Sequence, residues 1–429
     1  MRISRRNFAA AALALVLPLS ACGSGGDDGG STDASGKVEG DITFQTWNLR
    51  ANFKPYFEGL ITDFEKKYPG TRVKWIDQPA EGYADKISAD AAGGTLPDVV
   101  NVSPDLVAPL AEAGLALDLD KAADKYRSEY LDGAWASHQV PGMTGTYAFP
   151  WYLNTGPLFY NKSLFEKAGL DPSAPPKTYD ELFADALQMA DKSDGKVATL
   201  ANVPTIEDFG RYGARLMNKE GTGFAFDDTK GISLLTHYKE LYDAKALDPQ
   251  ALTATPESTG KKFLTGAVAM NPGSALDLGN FKKQAPGLYR SIGITDQITS
   301  TGHVNMYVMG VMVNSRTKHT PAAVAFAHFV TDAQNQMSFA KKVAIFPSTA
   351  GSLDDPYFTK EDGTDETRVR IAAAKSLKNA VNYTPVLFSE QMKTALRNEV
   401  AKALQGKESP KAALDNAVKA CDQLLKQQG

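Results

Sequence analysis

The stretch Asp41-Ile42-Thr43-Phe44-Gln45-Thr46-Trp47-Asn48, with the helix-spaced run behind it, decides the fold. Its β-branched and aromatic residues predict a strand over 41–47, ending on a Trp-Asn pair. Phe53, Tyr56, Phe57, Leu60, Ile61, Phe64 and Tyr68 then recur at helical spacing, and Pro69-Gly70 stops that helix. A second strand is expected over 71–76 and a short helix over 84–92, closed by Gly93-Gly94. A third strand over 98–102 leads into a helix from about Asp105 to Ala113. This alternation predicts an α/β domain with a mostly parallel sheet. Ligands of such sheets bind beyond the carboxyl ends of the strands. Trp47, Asn48, Gln78 and the turn Val102-Ser103-Pro104-Asp105 therefore fall on one rim.

Further along, the pattern restarts. A strand is expected over 156–161, and Thr178-Tyr179-Asp180-Glu181 is a capping box opening a helix to about Asp191. Strand-like segments come at 197–201, 268–270 and 304–313, with a helix over 232–247. Thr320-Pro321 starts another helix. Two more close the chain, one carrying Phe388, Met392, Leu396, Val400 and Leu404, the other beginning at Ser409-Pro410. Two α/β lobes are the expected architecture.

The first residues read as an address out of the cytoplasm. Arg2, Arg5 and Arg6 precede an apolar run from Phe8 to Leu19, which is shorter than the ~20 residues a spanning helix needs. Ser4-Arg5-Arg6-Asn7-Phe8 resembles a twin-arginine export signal. Leu19-Ser20-Ala21-Cys22 resembles a lipobox, in which cleavage leaves Cys22 as a lipidated N-terminus. Residues 1–22 thus read as the export signal. The Gly-, Ser- and Asp-rich residues 23–40 read as a flexible tether to the outer face of the cell membrane. With Cys22 lipidated, Cys421 is left without a partner. It falls on the apolar stripe of Leu414, Ala417, Val418 and Leu424, so a buried thiol is expected and no disulfide.

Composition excludes several functions. The chain has 429 residues, 43% of them hydrophobic, and a net charge of −4. The three arginines of the signal removed, 43 basic residues face 50 acidic ones, a balance that argues against nucleic-acid binding. The five histidines are scattered, and there is no His-Glu-x-x-His, Cys-x-x-Cys, Gly-x-Ser-x-Gly or phosphate-loop segment. No catalytic group, metal or cofactor is expected.

Several blocks resemble the extracytoplasmic sugar-binding proteins of ABC importers, the family that includes the maltodextrin-binding protein. They are Leu96-Pro97-Asp98-Val99-Val100 with Leu110-Ala111-Glu112-Ala113-Gly114-Leu115, then Phe149-Pro150-Trp151-Tyr152 and the run from Leu158 to Leu170. Pro176–Leu182, Phe263–Met270 through Gly273, and Gly406–Leu414 continue the series in family order. The resemblance implies a two-lobed periplasmic-binding-protein-like α/β fold with a hinge and an interlobe cleft. By its alignment, lobe one comprises 41–147 plus 265–312 and lobe two 148–264 plus 313–429. It also implies a carbohydrate ligand, in the first place an oligosaccharide, with no particular sugar fixed by sequence. ABC permease subunits are the implied partners, and a monomer the implied state.

A sugar offers apolar C–H faces and a rim of hydroxyls, so its site needs aromatic platforms and short polar groups. Trp47 and Asn48 supply both at a strand end. Trp151 and Tyr152 fall at the expected crossover, Asn154 and Asp105 align with polar family contacts, and Gly273-Ser274 with a ligand-approaching loop. Gln78, Tyr307 and Phe388 complete the candidates, while Trp75 and Trp135 read as structural. Two other functions stay open. One is a receptor for an anionic polyol such as a glycerol-phosphate compound, for which Arg50 and Arg211 are the positions to watch. The other is a secreted glycosidase, which needs two acids across a cleft.

Overall fold

A computed structural model describes residues 34–254, 256–273 and 275–428. The export signal, Cys22, most of the tether and Ser274 lie outside the described residues. Nine strands run in chain order among them: β1 (Gly40–Trp47), β2 (Thr71–Gln78), β3 (Val99–Val102), β4 (Phe149–Asn154), β5 (Leu158–Asn161), β6 (Met270–Pro272), β7 (Ile292–Thr295), β8 (Tyr307–Val313) and β9 (Phe346–Pro347). They form two sheets, ordered β2-β1-β3-β8-β4-β9 and β6-β5-β7, each the centre of one lobe.

In the larger sheet β1 pairs in parallel with β2 and β3, and β8 then runs antiparallel to β3. Trp47 is directly opposite Gln78 where β1 and β2 end. The helix Arg50–Lys67 buries Phe57, Leu60 and Phe64, the stripe its spacing predicts. Phe44, Phe57, Phe64 and Phe326 pack there as an aromatic core, Phe44 meeting Phe326 at 5.2 Å.

The lobes divide differently from the alignment. Strands β6 and β7, expected in lobe one within 265–312, pair with β5 in the smaller sheet. Strand β4, expected in lobe two, pairs with β8 in the larger one. The helix Thr320–Thr331, also expected in lobe two, buries Phe326 and Val330 in the aromatic core of lobe one. The physical reason is that Phe149 and Phe326 are apolar partners for the core of Phe44 and Phe57, and burial decides membership.

The chain therefore crosses between lobes after Asn154, again between Thr295 and Tyr307, and a third time near Tyr383 to Phe388. A polar knot ties the crossings. Gln297 Nε2 donates to Thr155 Oγ1 at 2.8 Å and to the Asn305 carbonyl at 3.0 Å. Asn305 N–H donates to Gln297 Oε1, and Tyr383 N–H donates to Asn305 Oδ1. Asn305 is buried, so the knot is shielded from competing water.

Candidate functional site between the lobes

On lobe one, the carboxyl ends of β1 to β3 form a rim. Trp47 is half-buried and stacks on Tyr83, with centroids 5.6 Å apart and planes at 19°. Tyr83 is fixed in turn by donating to the Asn101 carbonyl at 2.7 Å. Burial raises its phenol, and Asp77 and Tyr152 add to the shift, so Tyr152 belongs to the same neighbourhood. Tyr152 itself is half-buried and pushed up to about 12 by burial.

Asn48 is exposed and adopts φ +54°, a left-handed conformation that asparagine tolerates. Its N–H donates to the Gln78 carbonyl at 2.8 Å. Asp105 is exposed in the first turn of the helix Pro104–Glu112, where the helix dipole favours an acid. The expected residues Trp47, Asn48, Asp105 and Tyr152, together with Gln78, thus lie on or beside one rim.

On lobe two a pocket of about 300 Å³ opens beneath Tyr307. Tyr307 begins β8 and is 56% exposed, an unusual state for a large ring. Protein surrounds it at longer range and pushes its phenol up to about 12, with Glu207 and Asp208 contributing. The helix Ile206–Tyr212 carries the charged part of the pocket. Asp208 accepts from the Thr205 N–H at 2.7 Å, the Tyr179 hydroxyl at 2.7 Å and the Arg211 guanidinium at 2.5 Å. Burial pulls the Arg211 pKa down, but Tyr179 and Asp208 outweigh it and the net shift is upward, so the guanidinium stays charged. Glu207 accepts from Thr384 Oγ1 at 2.6 Å, tying the third crossing to this helix. A second groove of about 420 Å³ adjoins and shares Asn202, Thr205, Glu207 and Tyr307.

Four expected contacts are elsewhere. Trp151 is fully buried, stacked on Phe339 at 5.7 Å and edge-on to Phe57 at 6.0 Å. It is the extra residue of a register shift between Pro150 and Tyr152, and its ring faces the core instead of the cleft. Phe388 is 1% exposed and packs edge-on against Phe224 in the lobe-two core, reaching only the border of the second groove. Asn154 and Gly273 line a separate narrow cavity beside the helix Asp365–Leu377. Gly273 is needed there because a Cβ would stand 2.2 Å from the Phe159 ring. Trp75 packs on Phe57, and Trp135 is buried with Nε1 donating to Asp120, both as structural residues do.

Sequence reasoning missed Tyr83, Asn202, Thr205, Glu207, Asp208 and Tyr238. One signal was available: Thr205 followed three residues later by Asp208 marks a helix start. Arg211 was watched only as an anion contact, and Arg50 is already engaged. Its guanidinium lies 4.1 Å above the Trp75 ring and donates to the Trp75 carbonyl. The helix start beside it is closed by Asp77, which accepts from the Leu49 and Arg50 N–H groups.

Two sheet-centred lobes, joined by three crossings and facing each other over a polar and aromatic cleft, define a two-lobed periplasmic binding protein. The chain belongs to the family of bacterial extracellular solute-binding proteins, whose sequence model matches residues 50–337. A protein of Brucella abortus (strain 2308), named as a binding protein, is 23% identical over 403 residues, 92% of this chain and 95% of its own. The sn-glycerol-3-phosphate-binding periplasmic protein of Escherichia coli (strain K12) is 25% identical over 325 residues, 68% of this chain and 72% of its own. The structure of the cyclic alpha-maltosyl-1,6-maltose binding protein of Arthrobacter globiformis matches with a TM-score of 0.72 at 20% identity, covering 91% of this chain and 100% of the other. At that identity the likeness speaks for the fold.

Proposed function

We propose that this chain is the lipid-anchored receptor of an ABC importer, which binds a carbohydrate in its cleft and delivers it to the permease. The observation that carries this reading is Tyr307, a 56% exposed ring above a pocket edged by Asn202, Thr205 and Glu207. An exposed aromatic beside short polar groups suits the C–H faces and hydroxyls of a sugar. Trp47 and Asn48 offer the same pair of chemistries at the strand ends of lobe one, while Asn202, Thr205 and Glu207 belong to lobe two. Ligand touching both lobes stabilises only the closed form, and the permease reads that closure. Cys22 supplies the anchor after export through the paired Arg5 and Arg6.

The anionic-polyol reading has two favouring observations, the similarity to the sn-glycerol-3-phosphate-binding protein and the presence of Arg211 in the pocket. Asp208 already balances that charge, and Glu207 lines the same pocket, so a phosphate dianion would enter a site with one acid in excess. Calorimetry and thermal shift of residues 34–429 against mono- and oligosaccharides and glycerol 3-phosphate separate the two. A neutral sugar should raise the melting temperature, shrink the radius of gyration and be recovered unaltered. Binding of glycerol 3-phosphate alone would overturn the carbohydrate reading, and recovery of cleaved glycan would overturn the receptor reading. Cys22→Ala should shift the protein out of the membrane fraction, and retention there would refute the anchor.

A further inference from the structure

The pocket beneath Tyr307 does not stop at the lobe surface. Tyr179, Leu182, Tyr238 and Ile298 line it, yet each is 4% exposed or less and belongs to the lobe-two core. A pocket walled by core residues has a closed inner end. A flat cleft would accommodate the middle of a chain; this shape accommodates a terminus.

The polar groups at that end are donors in excess. The Arg211 guanidinium has five N–H donors, of which Nη2 is used on Asp208 and Nη1 on the Ile298 carbonyl. The hydroxyl of Tyr238 has no hydrogen-bond partner among the described residues. Asp208, by contrast, is filled by Tyr179, Arg211 and both polar groups of Thr205. The Arg211–Asp208 pair is neutral and Glu207 adds one acid, which disfavours an anion, while the spare Arg211 N–H groups and the Tyr238 hydroxyl call for neutral oxygen acceptors. The way out is also marked, because the adjoining groove shares Asn202, Glu207 and Tyr307 with this pocket.

We propose that this pocket is an end-reading subsite: it takes the terminal ring of a linear, uncharged glycan, held by Tyr238 and Arg211, while the following units pass over Tyr307 into the adjoining groove. The proposal rests on the carbohydrate reading above and adds to it a chain polarity and a ligand class. A glycan with one end obstructed cannot enter, whereas an obstruction at the other end stays in the open groove.

The test uses a panel of linear oligosaccharides of glucose, galactose, mannose and xylose, two to six units long, with glycerol 3-phosphate alongside. Each glycan that binds is compared with two forms carrying a bulky aromatic tag, one at the reducing and one at the non-reducing end. One tagged form should bind about tenfold more weakly or worse, because the site's donors are left unpaired, and the other should bind as the free glycan does. Tyr238→Phe should weaken the free glycan roughly three- to tenfold, one hydrogen bond's share. Its ligand-free melting temperature should stay level, since the hydroxyl borders the pocket and makes no hydrogen bond to the described residues. Equal tolerance of both tags, or loss of binding with both, would overturn end reading and leave the carbohydrate receptor standing. An unchanged affinity in Tyr238→Phe would remove Tyr238 from the subsite and overturn the assignment. Binding of glycerol 3-phosphate with none of the glycans would overturn this proposal and the carbohydrate reading together.

Discussion

Lobe one meets the cleft with a rim, and lobe two meets it with a pocket. The rim is made where strands end: Trp47 lies flat on Tyr83, and Asn48 and Asp105 stand exposed beside it. The pocket is made by a helix start, where Asp208 gathers Thr205, Tyr179 and Arg211 and the walls run back into the core. A rim loses little core packing when one residue is truncated, while a pocket shares its walls with the fold. Stability and affinity should thus separate cleanly on lobe one and be entangled on lobe two.

The largest effect expected comes from the tryptophan that the structure moves off the rim. Trp151 is fully buried against Phe339 and Phe57, so Trp151→Ala opens a large cavity and should cost about 3–5 kcal/mol of folding free energy. Chemical denaturation measures this directly. A loss under about 1 kcal/mol, the scale of a surface change, would mean that Trp151 is not the core residue described, and the contrast with Trp47 would collapse.

Buried titratable groups sharpen the same contrast. Arg211 of lobe two is paired, but His138 of lobe one is fully buried with neither ring nitrogen in a well-formed hydrogen bond among the described residues. Burial lowers its pKa to about 4, and the Ala134 backbone opposes that shift only in part. The unfolded chain takes up that proton near pH 6.5, the folded chain only near 4. Stability is therefore full above pH 6.5, falls as the pH drops toward 4, and levels off below, a change of about 3 kcal/mol. Urea titrations from about pH 4 to 7 should show this slope, and His138→Leu should flatten it. An equal slope in the variant would place the acid sensitivity elsewhere.

The legibility of each feature depends on where its signal lies. The strand β1 and the stripe from Phe53 to Tyr68 are local patterns; the helix buries its apolar face, and β1, lying between β2 and β3, buries Phe44, Gln45 and Thr46 in succession. The rim was legible for the same reason: Trp47 and Gln78 are strand ends. Phe388 could have been placed in the core, since it continues the apolar spacing of Met392, Leu396 and Val400, all buried. Trp151 could not, because its register shift is set by the pairing of β4 with β8, a strand far away in sequence. The pocket was missed because Tyr179 and Tyr238 join the local set of Thr205, Asp208 and Arg211 only through tertiary packing. The short helix that carries Asp208 and Arg211 leaves little periodic trace.

On the rim itself, Trp47→Ala should weaken glycan binding by roughly 1–3 kcal/mol, as truncation of an aromatic anchor does. Its melting temperature should change far less than that of Trp151→Ala, because Trp47 is only half-buried. Calorimetry with the best ligand of the panel and a thermal melt of the same sample provide both numbers. An affinity equal to wild type would remove Trp47 from the site and leave lobe two to bind alone.

The smallest effect compares two helix starts within lobe two. Thr178 caps the helix Tyr179–Lys192 in a full capping box, with Glu181 N–H donating to its hydroxyl and Glu181 accepting from the Thr178 N–H. Thr205 precedes the helix Ile206–Tyr212, and its hydroxyl and N–H both donate to Asp208. Each Thr→Ala change should cost about 1 kcal/mol of stability, the usual scale of a cap. The consequences for binding differ. Thr178 touches neither pocket nor groove, so its variant should bind as wild type does. Thr205 borders both, and without its hydroxyl Asp208 is held by fewer donors, which loosens the carboxylate that orients Arg211. Thr205→Ala should therefore lose a few-fold in affinity at matched stability. If the two variants shift stability and affinity alike, the pocket is not built on Asp208, and the distinction between a rim and a pocket loses its structural basis.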